Sequence, residues 1–331
     1  MSAVPMSILD LASVGNGETI GQSFAGSVAL ARLAEQTGYR RVWYAEHHSI
    51  GSIASSATAV LIAHVAAHTT TIRLGAGGIM LPNHSPLVIA EQFGTLAELH
   101  PGRIDLGLGR APGSDQATAR ALRRDPAAAE SFPRDVVELR GLLSDTSPIP
   151  GVHAIPGQGT HVPLYILGSS LFGAQLAAML GLPYAFASHF SPGALDEAIR
   201  VYRERFEPST QLPQPYVFAG VNVIAADSDA DARHHLEATR RKRVRSLFSR
   251  DDQSLTDAEV DTILRSPQGA HVDQMMTYTA VGTPDTVVAY LDNFQRHTRA
   301  DELIVVHHAA NIAGRLRSVE LLAAAADLNQ R

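Results

Sequence analysis

The chain contains no cysteine, which excludes disulfides, thiolate metal sites and cysteine nucleophiles together. Lysine is nearly absent too: Lys242 is the only one, and arginine carries the remaining basic charge. A Schiff-base barrel aldolase needs a lysine desolvated at a strand end, and a P-loop needs one after its glycines. Lys242 stands instead in Arg240-Arg241-Lys242-Arg243. The stretch from Arg233 to Arg250 reads as a solvated helix face, with phosphate or partner contact as the other reading. Aromatic residues are only 6% of the chain, which counts against a glycosidase barrel, as does the lack of paired carboxylates at strand ends. No run reaches about 18 consecutive apolar residues, so no membrane-spanning helix is expected. Met1 to Asp10 lacks a basic region followed by an apolar one, so a cytoplasmic protein without signal peptide is expected. A net charge of −6 argues against a nucleic-acid partner.

What is present is alternation. Apolar, strand-like runs occur at Ser7–Ala12, Arg41–Ala45, Ile72–Leu81, Ile104–Gly109, Val162–Leu167, Tyr184–Ser188, Val217–Ala225 and Leu303–Val306. Most are continuously apolar, as parallel strands covered on both faces must be. Amphipathic helical runs separate them. Ser85-Pro86 opens one, with Ile89, Phe93 and Leu96 on one face, and His100-Pro101-Gly102 stops it. Another opens at Thr283-Pro284, and a third runs from near Ser170 to Gly181. Eight such units predict a (β/α)8 TIM barrel, one of the few folds that carries 331 residues around one core. A single domain over 1–331 is expected, with insertions near 144–161 and 249–278. Each insertion reads either as a lid at the catalytic end or as a surface loop; one helix is expected near Asp257–Leu264.

Function in such a barrel sits just beyond the C-terminal ends of the strands. The fifth strand ends in Gly168-Ser169-Ser170 at a helix start. Two hydroxyls and free backbone N–H groups there make an anion site favoured by the helix dipole. Arg110, ending the neighbouring fourth strand, can supply charge for a phosphate. A plain helix cap and a rim arginine are the bland alternative. Gly77-Gly78 interrupts the third strand, where a flat ligand or another backbone must come close. Neither these glycines nor Gly107-Leu108-Gly109 opens a helix, so no dinucleotide fingerprint is present. His47 and His48 follow the second strand as an acid–base pair, metal ligands or polar rim. The first strand has no histidine for a zinc hydrolase, and His64-Val65-Ala66-Ala67-His68 lacks the zincin glutamate, so no metal is expected.

Ala45-Glu46-His47-His48, Gly75 to Pro82, Arg103 to Arg110 and Gly168-Ser169-Ser170, in order at successive strand ends, resemble the luciferase-like flavin monooxygenases. Met80-Leu81-Pro82-Asn83-His84 and Arg103 to Arg110 are most similar to its branch of bacterial luciferase-like oxidoreductases. The resemblance implies a catalytic histidine beside a flavin at His47. It implies a cofactor site of Ala76, Gly77, Gly78, Arg110, Leu167, Gly168, Ser169 and Ser170, with a non-proline cis peptide at Gly77-Gly78. His48, His189 and His307 are the candidate substrate-pocket residues. Two positions depart from luciferase: Gly109 replaces a reactive cysteine, which removes thiol chemistry, and Ser169 replaces a glutamate.

The reading reached from sequence is a two-component monooxygenase. It takes reduced FMN from a separate flavin reductase, because the chain shows no nicotinamide-binding domain, and turns dioxygen on a small organic substrate. A homodimer is expected. A barrel using the deazaflavin F420 for hydride transfer, and a flavin-binding protein without turnover, are the alternatives.

Overall fold

The computed structural model describes residues 4–15, 17–111, 115–249 and 255–330. Nine strands run β1 Met6–Asp10, β2 Arg41–Tyr44, β3 Arg73–Met80, β4 Ile104–Gly109, β5 Leu164–Gly168, β6 Tyr184–Phe186, β7 Val217–Ala225, β8 Thr279–Gly282 and β9 Glu302–His307. All pair in parallel. β1 to β7 are joined in sequence order, β7 pairs with β9, and β9 returns to β1. These eight strands close the barrel; helices cover its outside.

β8 is an addition that sequence reading missed. It pairs with β7 alone, over Asn222 to Ala225, and its four residues are buried only at alternate positions. So short and half-covered a strand carries little pattern. The last barrel strand is therefore the ninth in the chain.

Period-two alternation divides the apolar residues of each strand. Leu9, Trp43, Tyr165, Phe218, Ile304 and Val306 point inward and pack with one another inside the barrel. Their neighbours Ile8, Val42, Ile166, Val217 and Val305 point outward into a larger core shared with the helices. Trp43, Tyr165 and Phe218 form an aromatic layer across the interior, with ring centroids 4.9 to 5.6 Å apart. β3 and β4 approach so closely that a Cβ on Gly78 would stand 2.7 Å from the Gly107 carbonyl oxygen. Glycine is therefore imposed there by a neighbouring backbone.

Below the aromatic layer, at the N-terminal ends of the strands, lies a buried charge network. Arg41 donates to Glu302 (Nε to Oε1, 2.9 Å), to Asp105 (Nη1 to Oδ2, 2.7 Å) and to the Tyr165 hydroxyl (3.0 Å). Arg73 Nε donates to Asp105 Oδ1 at 3.1 Å, and Trp43 Nε1 to Asp105 Oδ2 at 3.0 Å. Ser7 and Tyr216 add hydroxyl donors to Glu302. Two guanidinium groups meet two carboxylates, with the half-exposed Arg40 a further 3.9 Å from Glu302, so each charge of the barrel floor faces an opposite one.

The two insertions differ. The segment 144–161 packs on the outside of the barrel, where Gly157 lies against Gly94 and Ala90 of the Pro86–Leu99 helix. It is neither a lid nor a free loop, because paired glycines let the two backbones touch. Within 249–278 the expected helix is Asp257–Leu264, followed by a second, Pro267–Met275, that was not foreseen. Residues 250–254 lie outside the described part. Val260, Val272 and Met276 pack on Val244 of the long Asp229–Phe248 helix.

Candidate active site at the mouth of the barrel

Above the aromatic layer a cavity of about 610 Å³ opens between the C-terminal strand ends. Trp43, Phe218, Leu9 and Ile304 form its floor. Its described lining includes Arg110, Lys242, Arg243, His47, His189 and His308, and not one aspartate or glutamate.

On the β4–β5 side, the Arg110 guanidinium carbon lies 4.1 Å above the centre of the Phe172 ring. Phe172 is the second residue of the Leu171–Leu180 helix, whose N-cap is Ser170. The stacking carries Arg110 to that helix N-terminus, beside Ser169 and Ser170, all lining the cavity. Ser170 makes no side-chain capping bond, so its hydroxyl and the first-turn N–H groups are available to an anion. Arg110 forms no ion pair among the described residues.

On the β2–β3 side, Glu46 is buried and acts as a clamp. Its carboxylate accepts from Met80 N–H (2.9 Å), Asn83 Nδ2 (3.1 Å) and His84 Nε2 (2.9 Å), and His48 Nε2 lies 2.8 Å away. Its own N–H donates to the Gly78 carbonyl at 3.2 Å. Burial pushes this carboxyl's pKa up, but the hydrogen bonds and charge of His84 and the bond to His48 outweigh it, leaving the group below its usual range. The clamp fixes the end of β3, where the Gly77–Gly78 peptide is cis, and positions the intervening His47 against the cavity.

On the β6–β7–β9 side, Asn222 is a hub. It donates to the His189 carbonyl (2.7 Å) and holds His308 Nε2 at 2.8 Å from its Oδ1. Gly220 clears the space for His189, since a Cβ there would stand 2.5 Å from Nδ1. Burial, with Arg243 and His47 adding, pushes the His189 pKa down to about 3, and burial pushes His308 well below the usual imidazole range. Both imidazoles are neutral near pH 7. Thr239, Lys242, Arg243 and Ser246, at i, i+3, i+4 and i+7 of the Asp229–Phe248 helix, complete this wall.

His47, Gly77, Gly78, Arg110, Leu167, Gly168, Ser169, Ser170 and His189 thus meet around one cavity. Three expected residues do not. Ala76 and His307 face the outer core, His307 bonding to Ser318 (2.8 Å) and Tyr39; His48 turns away to Glu46. One cause accounts for all three: alternation sends odd positions of β2 and its extension inward, likewise odd positions of β3 as far as Gly77, where the register shifts, and even positions of β9, so their neighbours face out. His308, beyond β9, turns back to the cavity. The larger omission is Lys242 and Arg243, which are not solvated as expected. Polar residues at helical spacing, flanked by arginines, were the available signal.

A parallel barrel with a one-signed cavity over its C-terminal strand ends belongs to the (β/α)8 enzymes. The family model for luciferase-like monooxygenases matches residues 4–300, and the chain belongs to that family. A luciferase-like monooxygenase of Escherichia coli (strain K12) is 48% identical over 320 residues, covering 96% of each chain. The N-acetyl-S-alkylcysteine monooxygenase of Bacillus subtilis (strain 168) is 36% identical over 247 residues, covering 70% of this chain and 71% of that one. The crystal structure of apo-MsnO8 superposes with a TM-score of 0.86 at 36% identity, covering 98% of this chain and 99% of the other. The same fold, at TM-scores of 0.71, is found in the FMN complex of the oxygenating constituent of 3,6-diketocamphane monooxygenase (18% identical) and in an F420-dependent secondary alcohol dehydrogenase (15% identical).

Proposed function

We propose that the protein is a monooxygenase that binds reduced FMN, supplied by a separate flavin reductase, and uses dioxygen to oxidise a small organic substrate. The observation that carries this reading is the meeting of Arg110, Ser169 and Ser170 at one helix N-terminus on the cavity edge. A phosphate monoester fits that donor set. The flat wall at Gly77–Gly78, with Leu167 and Gly168 beside it, fits the face of an isoalloxazine ring. A bound reduced flavin supplies the electrons for oxygen chemistry; the chain positions it, shields it from water and handles protons. Apolar residues from inside the barrel exclude water, and His47 serves as acid or base, held by the Glu46 clamp behind it. A homodimer is proposed on the general preference of soluble enzymes for twofold assemblies.

Titration with reduced FMN and reduced F420, followed by aeration, tests the reading. FMN is expected to bind and F420 not. Arg110→Met should weaken FMN by roughly 10- to 100-fold, the effect of one or two charge-assisted hydrogen bonds. His47→Ala should retain FMN and lower turnover by about 10²-fold or more. F420 binding with hydride transfer, or FMN affinity indifferent to Arg110, contradicts the proposal.

A further inference from the structure

The cavity has two cationic ends, and a flavin phosphate accounts for only one. Arg110 stands over β4 and β5. Arg243 reaches groups beyond β6 and on β7, and Lys242 the segment beyond β1, so neither shares the β4–β5 side with Arg110. Lys242 Nζ donates to the Val14 carbonyl at 3.2 Å, and Arg243 to the His189 carbonyl at 3.3 Å and Asn222 Oδ1 at 3.4 Å. All these acceptors are neutral. Of the other arginines of the same helix, Arg240 pairs with Asp273 (2.8 Å), Arg241 with Asp257 (2.8 Å) and Asp261, and Arg245 with Asp257, while Arg233 is exposed to solvent. The carboxylate of Glu18, which acts on Lys242 from a distance, is engaged by the Gly15 and Ile312 N–H groups (2.8 and 3.2 Å). Among the described residues, then, these two adjacent, largely enclosed cations form no ion pair, and Glu18 acts on Lys242 only from a distance.

That arrangement is costly unless something completes it. Burial depresses the pKa of both groups, Arg243 to about 10, with Arg315 adding to the effect on Lys242. Partly buried cations without anions lose hydration and recover little from carbonyl dipoles. Around them the cavity offers a further donor, the hydroxyl of Ser246 on the same helix face. His189 Nδ1 is buried without a hydrogen-bond partner among the described residues. Phe190 and Met275 add apolar surface at the same side.

We propose that the substrate is a small organic oxyanion, a carboxylate or sulfonate, whose charged head is bound by Lys242 and Arg243 while its apolar body lies across the aromatic floor toward His47. This rests on the flavin reading only in assigning the Arg110 end to the cofactor. Lys242 and Arg243 are then the residues that set substrate class, and uncharged analogues of equal size are discriminated against.

Calorimetric titration of the FMN-saturated protein and of the FMN-free protein with hexanoate, hexane-1-sulfonate and hexanamide tests it. At least one oxyanion is expected to bind about 10-fold or more tighter than hexanamide, the worth of a charge-assisted contact. The double variant Lys242→Met/Arg243→Met should bring that oxyanion within about 2-fold of hexanamide by removing those contacts, with FMN affinity unaltered. Lys242→Gln, which keeps a polar group of similar length, should lose part of the preference. Its thermal midpoint, with that of the double variant, distinguishes lost binding from lost fold. Equal binding of all three probes to wild type overturns the proposal. So does an anion preference that survives the double variant but disappears in Arg110→Met. Failure of FMN to bind removes the flavin reading alone, because the titrations without FMN still decide this one.

Discussion

Beneath the aromatic layer of the barrel, Arg41 and Arg73 meet Asp105 and Glu302, sealed by tyrosine, tryptophan and serine donors. Above it, Arg110, Lys242 and Arg243 line a cavity to which the described residues bring no carboxylate at all. Trp43 belongs to both regions: its indole N–H is bound to Asp105 below, while its ring floors the cavity above. The difference separates charge that holds the chain together from charge kept for a ligand. A matched network loses much when one member is removed, because its partner is left buried and uncompensated. An unmatched cation costs the folded state something already, and its removal relieves that cost.

The widest test of this contrast removes one charge from each end. Glu302→Ala should destabilise the protein by about 3–5 kcal/mol, because Arg41 and Arg73 are left to share Asp105 and one buried positive charge is uncompensated, read from urea unfolding. Arg243→Met, isosteric in its stem, should leave unfolding within about 0.5 kcal/mol of wild type or raise it. Equal losses at both ends would erase the distinction.

Acid gives a second test. His189, at the cavity, and His307, behind β9, have folded pKa values pushed by burial to about 3 from 6.5. Between these values the unfolded chain takes up protons that the folded chain refuses. Stability should therefore be complete above pH 6.5 and fall as pH drops toward 3, by up to about 1.4 kcal/mol per pH unit for each histidine. Urea midpoints from pH 7 to 5 measure this. His307→Asn should flatten the slope, and a flat wild-type profile would contradict burial of neutral imidazoles.

The barrel was legible because eight apolar runs between amphipathic ones admit few architectures. The grouping of Arg110, Ser169 and Ser170 on one cavity was legible because its parts are local: two serines at a helix start and an arginine ending the adjacent strand. His48 and His307 were misplaced because a histidine beyond a strand shows its identity but not its face, which register alone decides. Lys242 and Arg243 were misread for the same reason on a helix. Arg240, Arg241 and Arg245 found acids on the added helices Asp257–Leu264 and Pro267–Met275, and that docking turned the other face to the cavity.

From its residues alone the chain excluded thiol chemistry and a dinucleotide fingerprint, and it ordered the strand ends that build the site. Tertiary structure decided which charges are answered and which are not. Arg41 finds Glu302 across 261 positions of sequence, while Lys242, flanked by arginines, has no ion-pair partner among the described residues. Coulomb energy depends on separation in space and on the surrounding medium; only closing the barrel sets both.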